Sequence, residues 1–140
     1  MELERPPLND IRYYEGNELD LFSQAINWSN YYSKFLFPFI QGDVLEVGAG
    51  NGINSLRILS ANLPIEKWIC LEPDPRLAGE IKKRDLKTSD GKKIEVRNGT
   101  LKSIQSEEKF NAIIYLDVLE HILDDKKELE TAINHLKPEG

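Results

Sequence analysis

Apolar residues follow two alternating patterns along this chain. Over residues 18–37, Leu19, Phe22 and Ile26 recur at three- and four-residue steps, which predicts an amphipathic helix ending before Pro38. Beyond it, short apolar runs alternate with helical periodicities. The apolar runs predict four strands, at residues 44–47, 67–71, 93–97 and 110–116. The helical periodicities predict three more helices, at residues 53–60, 75–86 and 124–136.

Strands that alternate with helices indicate a parallel sheet joined by right-handed crossovers. The predicted fold is therefore α/β, a Rossmann-like doubly wound parallel sheet of about four strands with an N-terminal helix. We divide the chain into an arm with an aromatic helix, residues 1–40, and a Rossmann-like domain, residues 41–140. We expect the aromatic rings to pack that helix onto the sheet, with Tyr31 or Tyr32 as the exception that lines a ligand pocket.

Composition narrows the class of protein. A length of 140 residues fits one globular domain with its own core. The formal charge of −6 argues against a general nucleic-acid binder. The single cysteine, Cys70, excludes an internal disulfide and a cysteine zinc cluster, and its apolar neighbours predict a buried thiol. The start of the chain has no signal-like apolar segment, and no apolar run is long enough to span a membrane, so we expect a cytoplasmic protein.

A glycine-rich turn follows the first predicted strand. Residues 44–52 read Val-Leu-Glu-Val-Gly-Ala-Gly-Asn-Gly, and glycines there permit a tight turn with room for a ligand. Glu72 ends the second predicted strand, where an acid accepts hydrogen bonds from ribose hydroxyls in dinucleotide folds. Each feature alone fits a structural turn or a solvated carboxylate. Together they predict a nucleotide-like ligand at the carboxyl ends of the strands.

The spacing of the glycines argues against NAD. Gly48 and Gly50 match the first two glycines of the dinucleotide motif, but Ile53 stands where the third belongs. The pattern instead resembles the first motif of the class I S-adenosylmethionine-dependent methyltransferases, of the type that acts on small molecules. Four later segments resemble that family in the same order, at residues 70–74, 98–104, 115–122 and 136–140. The resemblance covers residues 30–140 and implies that the chain is truncated before the family's fifth strand.

The resemblance also implies roles for individual residues. Glu46 would organise the methionine ammonium of the cofactor, Glu72 would take the ribose diol, and the backbone around Asp117 would close the methionine end. Many relatives carry an acid where Thr100 stands, and a threonine hydroxyl also accepts a hydrogen bond. The remaining predicted cofactor residues are Gly48, Ala49, Gly50 and Gly52 in the turn, and Pro73, Asp74 and Leu101 beside the adenine.

Glu120 and His121 lie between the fourth predicted strand and the helix that follows it. Histidine suits acid–base catalysis, but polar residues at such a position also serve as caps, so His121 is a candidate with a structural alternative. His135 is expected on a polar helix face, and the pair Asp124–Asp125 lacks the spacing of a metal loop, so no metal site is predicted.

Methyl transfer from S-adenosylmethionine to a small-molecule acceptor is the leading hypothesis. A nucleotide-binding module without catalysis is the first alternative, and an NAD-dependent oxidoreductase is the second. We expect neither nucleic acid nor a membrane as a partner. The edge of the fourth strand is expected to support self-association, because an unpaired strand edge offers free hydrogen-bonding groups.

Overall fold

The computed structural model describes residues 26–140, with side chains from residue 27 onward, so the predictions for the N-terminal arm and for helical residues 18–25 lie outside the described residues. The described helices are α1 (Ile26–Leu36), α2 (Ile53–Leu59), α3 (Pro75–Lys83) and α4 (Asp125–Ile133). The strands are β1 (Gly42–Val47), β2 (Ile65–Glu72), β3 (Glu95–Asn98) and β4 (Ala112–Tyr115). Short 3₁₀ helices follow α1, β3 and β4, at Phe37–Phe39, Leu101–Ser103 and Leu119–His121.

The four strands form one parallel sheet in the order β3-β2-β1-β4. At the carboxyl end of the sheet, Val47 lies beside Leu71 on one side and beside Tyr115 on the other. The chain proceeds from β1 to β2 and β3 on one side, and then crosses to β4 on the other. The strand order therefore reverses at β1, which is where doubly wound sheets open a crevice for ligands. The α/β Rossmann-like prediction is confirmed.

Both faces of the sheet are covered, because successive strand residues point to opposite faces. On one face, Val44, Trp68 and Cys70 form a buried cluster with Ile58 of α2 and Ile81 of α3. The other face carries a second buried cluster, made of Leu45, Val47, Ile69, Leu71, Leu101, Ile104, Phe110 and Ala132. The predicted burial of the Cys70 thiol is confirmed.

Helix α4 is shorter than the helix predicted over residues 124–136. Its residues Leu129 and Ile133 are 41% and 64% exposed. Ala132 is the buried residue of the helix. His135 was expected on a polar helix face, and that prediction is wrong, because its ring is buried with Nδ1 3.1 Å from the carbonyl oxygen of Glu108. The helix ends before His135, so its periodicity does not set the direction of that ring.

The segment after α4 returns to the sheet. The Phe110 N–H donates to the His135 carbonyl and the Lys137 N–H donates to the Phe110 carbonyl, both at 2.8 Å, just before β4 begins. Past this bridge, β4 pairs with β1 alone among residues 26–140. In the same part of the chain, no helix combines the length and hydrophobicity that crossing a bilayer requires.

Candidate functional site

A cavity of about 740 Å³ lies at the carboxyl ends of the strands. Its walls come from the turn after β1, the ends of β2 and β4, the start of the 3₁₀ helix after β3, and helix α1. The predicted site residues that line it are Gly48, Ala49, Gly50, Glu72, Pro73, Asp74, Thr100, Asp117 and His121. Three other predicted residues, Glu46, Gly52 and Leu101, are absent from its lining. The volume suits a ligand the size of a nucleoside cofactor.

Left-handed backbone shapes the turn between β1 and α2. Gly48, Gly50 and Gly52 have φ of 72°, 60° and 81°, a region that L-residues with side chains rarely adopt. A Cβ on Gly48 would lie 2.6 Å from a Val118 methyl. A Cβ on Gly52 would lie 3.1 Å from Ile81, so this glycine serves the packing of α3 rather than the cavity wall.

Glu72 connects the end of β2 to the turn. Its carboxylate accepts hydrogen bonds from the Gly50 N–H at 2.7 Å and from the Asp74 N–H at 2.8 Å. Burial raises the pKa of this carboxyl, and the two hydrogen bonds oppose the rise. Each carboxylate oxygen has a further lone pair, so the group can still accept from a pair of ligand hydroxyls. Thus Glu72 both shapes the turn and presents acceptors to the cavity.

The loop after β2 is held by its own side chains. Asp74 caps α3, since its carboxylate accepts from the Arg76 N–H and from the Arg76 guanidinium, each at 2.8 Å. These bonds lower the pKa of Asp74. Asn98 donates from Nδ2 to the carbonyls of Glu72 and Pro73, each at 2.9 Å. Asn98 therefore positions Pro73 at the cavity wall. The sequence around Asn98 does not reveal this role.

Glu46 lies beneath the turn. Its side chain is buried, with Ser55 of α2 donating to Oε2 and the Cys70 thiol 3.7 Å from the same oxygen. The Trp68 indole N–H in turn donates to the Cys70 sulfur at 3.2 Å. Burial raises the pKa of Glu46 to about 7. The structure thus directs this carboxylate toward α2 and β2, and its role toward a ligand ammonium stays a prediction.

Helix α1 supplies a wall that the sequence indicated only in part. Tyr32 lines the cavity together with Trp28, and the Tyr32 hydroxyl donates to Asn54 Oδ1 of α2 at 3.0 Å. Tyr31 points elsewhere and is 59% exposed. The buried face of α1 carries Ser29 and Ser33, while Trp28, Tyr31 and Phe35 are exposed. The expectation that the aromatic rings of this helix pack onto the sheet is therefore wrong for Trp28 and Phe35, and of the two tyrosines named as exceptions it is Tyr32 that lines the cavity.

The segment after β4 closes the cavity on the side opposite β2. Asp117 has a φ of 57° and lines the cavity, as Tyr32 does. Burial raises the pKa of Tyr32, and the negative charge of Asp117 acts in the same direction. His121 lies with Nε2 4.0 Å from a Glu120 carboxylate oxygen. Glu128 of α4, which no sequence motif marks, also lines the cavity and accepts from the Tyr115 hydroxyl at 3.1 Å.

The charged side chains of the lining favour a ligand that carries positive charge. Five acidic residues line the cavity against one lysine, Lys102; the acids are Glu72, Asp74, Asp117, Glu120 and Glu128. The positive-φ glycines leave the turn free of side chains where a ligand would approach the backbone. Across the described residues, no group of three His, Cys, Asp or Glu side chains comes together as a metal site would require.

Known proteins resemble this chain in sequence and in fold. The sequence profile of a family described as methyltransferase domain matches residues 20–140. A ubiquinone biosynthesis O-methyltransferase of Rickettsia felis is 22% identical over 98 residues, which are 70% of this chain and 38% of that protein. Among solved structures, an S-adenosylmethionine-dependent methyltransferase from Clostridium acetobutylicum matches with a TM-score of 0.66 and 18% identity, over 89% of this chain and 54% of that one.

The magnesium protoporphyrin IX methyltransferase ChlM of Synechocystis, solved with bound SAM, matches with a TM-score of 0.63 and 15% identity. The match covers 93% of this chain and 65% of that one. The chain thus spans between about two fifths and two thirds of the length of these relatives. At such identities the solved structures support the fold.

Proposed function

The chain belongs to the methyltransferase-domain family, and from this premise we propose that it binds S-adenosylmethionine and serves methyl transfer from it to an acceptor. One observation carries the proposal: the buried Glu72 carboxylate stands at the floor of the cavity beside the glycine turn. That is where a ribose diol requires an acceptor. The bound SAM of ChlM, a structural neighbour, supports the choice of cofactor.

The donor set fits this cofactor. Glu72 would accept from both ribose hydroxyls, while the turn from Gly48 to Gly50 would pass beneath the ribose and methionine. Pro73, Asp74 and Thr100 line the part of the cavity where β2 and β3 end, and would surround the adenine. Leu101, buried behind Thr100, would support that wall from below. Asp117, at the end of β4, would face the methionine ammonium with its carboxylate.

The cofactor supplies an activated methyl group when it is bound, so the residues of the site mainly orient the two reactants and exclude water from them. Glu72 and the loop fixed by Asn98 hold one end of the ligand, and the α1 wall with Tyr32 shields the other from water. Holding two reactants in line removes much of the entropic barrier to transfer. His121 is our candidate for taking a proton from an acceptor that must lose one.

The proposed acceptor is a small molecule, since the cavity that would receive it is a cleft rather than a broad surface. A cytoplasmic location is part of the proposal. The alternative of a binding module without catalysis shares the cofactor site. It predicts the same binding of cofactor and no transfer to any acceptor.

Titration calorimetry with S-adenosylhomocysteine, the demethylated product, tests the cofactor site. We expect wild-type chain to bind it, and Glu72→Ala to lose about a hundredfold in affinity, because two hydrogen bonds to a charged group disappear. Glu66→Ala is the matched control, because Glu66 lies exposed at the opposite end of the same strand. Absence of binding by the wild type would overturn the proposal. Circular dichroism of Glu72→Ala separates loss of the ligand contact from loss of the fold.

A further inference from the structure

Residues of α1 and of the segment after β4 line one part of the cavity, which we call the second compartment; the segment after β4 lies on the far side of β1 from Glu72. We propose that this compartment receives an amine acceptor that arrives as an ammonium cation. This inference rests on the proposed function, because it names the class of molecule that would accept the methyl group.

Two aromatic rings form one wall of the compartment. Trp28 and Tyr32 both line the cavity, and their ring centroids lie 5.9 Å apart with the planes inclined by 62°. The Tyr32 ring is fixed by its hydrogen bond to Asn54, so its orientation does not depend on the ligand. Aromatic faces attract ammonium groups, and the attraction is strongest for tryptophan. Leu116, Val118 and Ile122 complete the wall with apolar surface.

The charged side chains that line the compartment are carboxylates. Asp117 and Glu120 contribute carboxylates, and no lysine or arginine of the described residues lines this end. Lys102, the cationic residue of the lining, follows β3, two strands away from β1. The Arg57 guanidinium stands behind the wall, bonded to Ser29 and Asn54. The ammonium group of the cofactor would pair with Asp117, so Glu120 would be available to pair with the acceptor. The carboxylates would repel an anionic acceptor.

His121 completes the chemistry that an ammonium acceptor needs. An ammonium nitrogen has no free lone pair, so one proton must leave before it attacks. The His121 imidazole, 4.0 Å from the Glu120 carboxylate, accepts that proton, and Glu120 stabilises the imidazolium formed. The nitrogen lone pair then forms the bond to the methyl carbon. The carbon–sulfur bond breaks with its electron pair left on sulfur, and the methylated nitrogen carries the positive charge.

Three matched probes test the charge preference on chain saturated with S-adenosylhomocysteine. They are 2-phenylethylamine, 2-phenylethanol and phenylacetate, which share one ring and differ in charge. Calorimetry should show that the amine binds about tenfold more tightly than the alcohol, with phenylacetate weakest. Phenylacetate binding as tightly as the amine, or binding of none of the three, overturns the proposal.

Two substitutions separate the roles of Glu120 and His121. Glu120→Gln should weaken binding of 2-phenylethylamine about fivefold and leave 2-phenylethanol unchanged. Glu130→Gln is the control, since this acid is exposed on α4 and is absent from the cavity lining. His121→Gln should lower kcat for transfer to 2-phenylethylamine, keep KM, and shift the pH at which the rate rises. Unchanged amine affinity in Glu120→Gln overturns the inference.

The first titration keeps the two proposals apart. If S-adenosylhomocysteine binds and the three probes show no charge preference, the amine inference fails while the cofactor proposal stands. If S-adenosylhomocysteine itself fails to bind, the proposed function is wrong, whatever the three probes show.

Discussion

The Glu72 carboxylate accepts a 2.7 Å hydrogen bond from the backbone N–H of Gly50, so the end of β2 fixes the turn that follows β1. The same carboxylate accepts from the Asp74 N–H and thereby fixes its own loop. One buried acid thus joins two neighbouring loops of the cavity. Its structural task and its proposed contact with the ribose use different lone pairs of the same oxygens.

Replacing Glu72 by glutamine separates these two tasks. The amide oxygen can accept one of the two N–H bonds, but the amide nitrogen faces the other donor, so a buried N–H loses its partner. We expect Glu72→Gln to lower the free energy of unfolding by about 2 kcal/mol. Urea unfolding measures this, with Glu66→Gln as the exposed control on the same strand. Equal stability of wild type and Glu72→Gln would show that losing one of the two N–H bonds to this side chain does not destabilise the fold.

Gly48 should not tolerate alanine. The new Cβ would stand 2.6 Å from a Val118 methyl, and the φ of 72° is unfavourable for any L side chain. Strain and overlap together should destabilise Gly48→Ala by about 3 kcal/mol, as measured by thermal or urea unfolding.

Two controls test the cause assigned to Gly48. In Gly79→Ala the added Cβ meets nothing within 4 Å inside helix α3, so this variant should gain up to about 1 kcal/mol. Val118→Ala should recover part of the loss in the Gly48→Ala background, because it removes the overlapping methyls. A double variant no better than Gly48→Ala would assign the whole effect to the backbone.

Glu46 makes stability depend on pH. Its pKa rises from 4.5 to about 7 in the folded chain, so between these values the folded state binds more protons than the unfolded state. Stability therefore falls as pH rises through this window, by up to about 3 kcal/mol, and is flat above it. Urea unfolding from about pH 5 to about pH 8 should show this slope, and Glu46→Gln should lack it.

Other acids with shifted pKa values do not obscure this measurement, because it compares wild type with one variant. Burial also raises the pKa of Glu72, which adds a slope of the same sign to both proteins. Arg97 lowers the pKa of Glu108 to about 2, so this acid changes stability only at lower pH, in both proteins. If wild type and Glu46→Gln follow parallel curves, the Glu46 carboxyl is ionised throughout and the assigned cause is wrong.

The open edge of β4 should support self-association. Ala112–Tyr115 pairs with β1 alone among the described residues. The segment after α4 bridges to Phe110, just before β4, and α4 exposes Ile133. Sedimentation velocity over a rising concentration series should show a growing dimer fraction. Ile133→Lys should reduce that fraction without loss of stability, since this side chain is 64% exposed. A monomer at every concentration would contradict the prediction.

The order of strands and helices, the glycine turn and the strand-end acid were all available from the sequence. The spacing of apolar residues in strands and helices depends only on residues close together in the chain, so the sequence shows it directly. Because crossovers between parallel strands are right-handed, few arrangements of four strands are then possible. Glu72 could be placed beside Gly50 for this reason, because the carboxyl ends of adjacent parallel strands meet at one edge. The boundary between residues 1–40 and 41–140 and the cofactor roles of the site residues stay predictions.

Only the tertiary structure decided which way several side chains face. The Glu46 side chain points to the face of the sheet that α2 covers, where it contacts Ser55 and Cys70. The glycine motif alone does not reveal these two partners. Helix α1 turns its serines inward because Arg57 and Asn54 of another helix bind it, so aromatic content did not predict its buried face. These outcomes depend on contacts between residues far apart in the chain, which local periodicity does not encode.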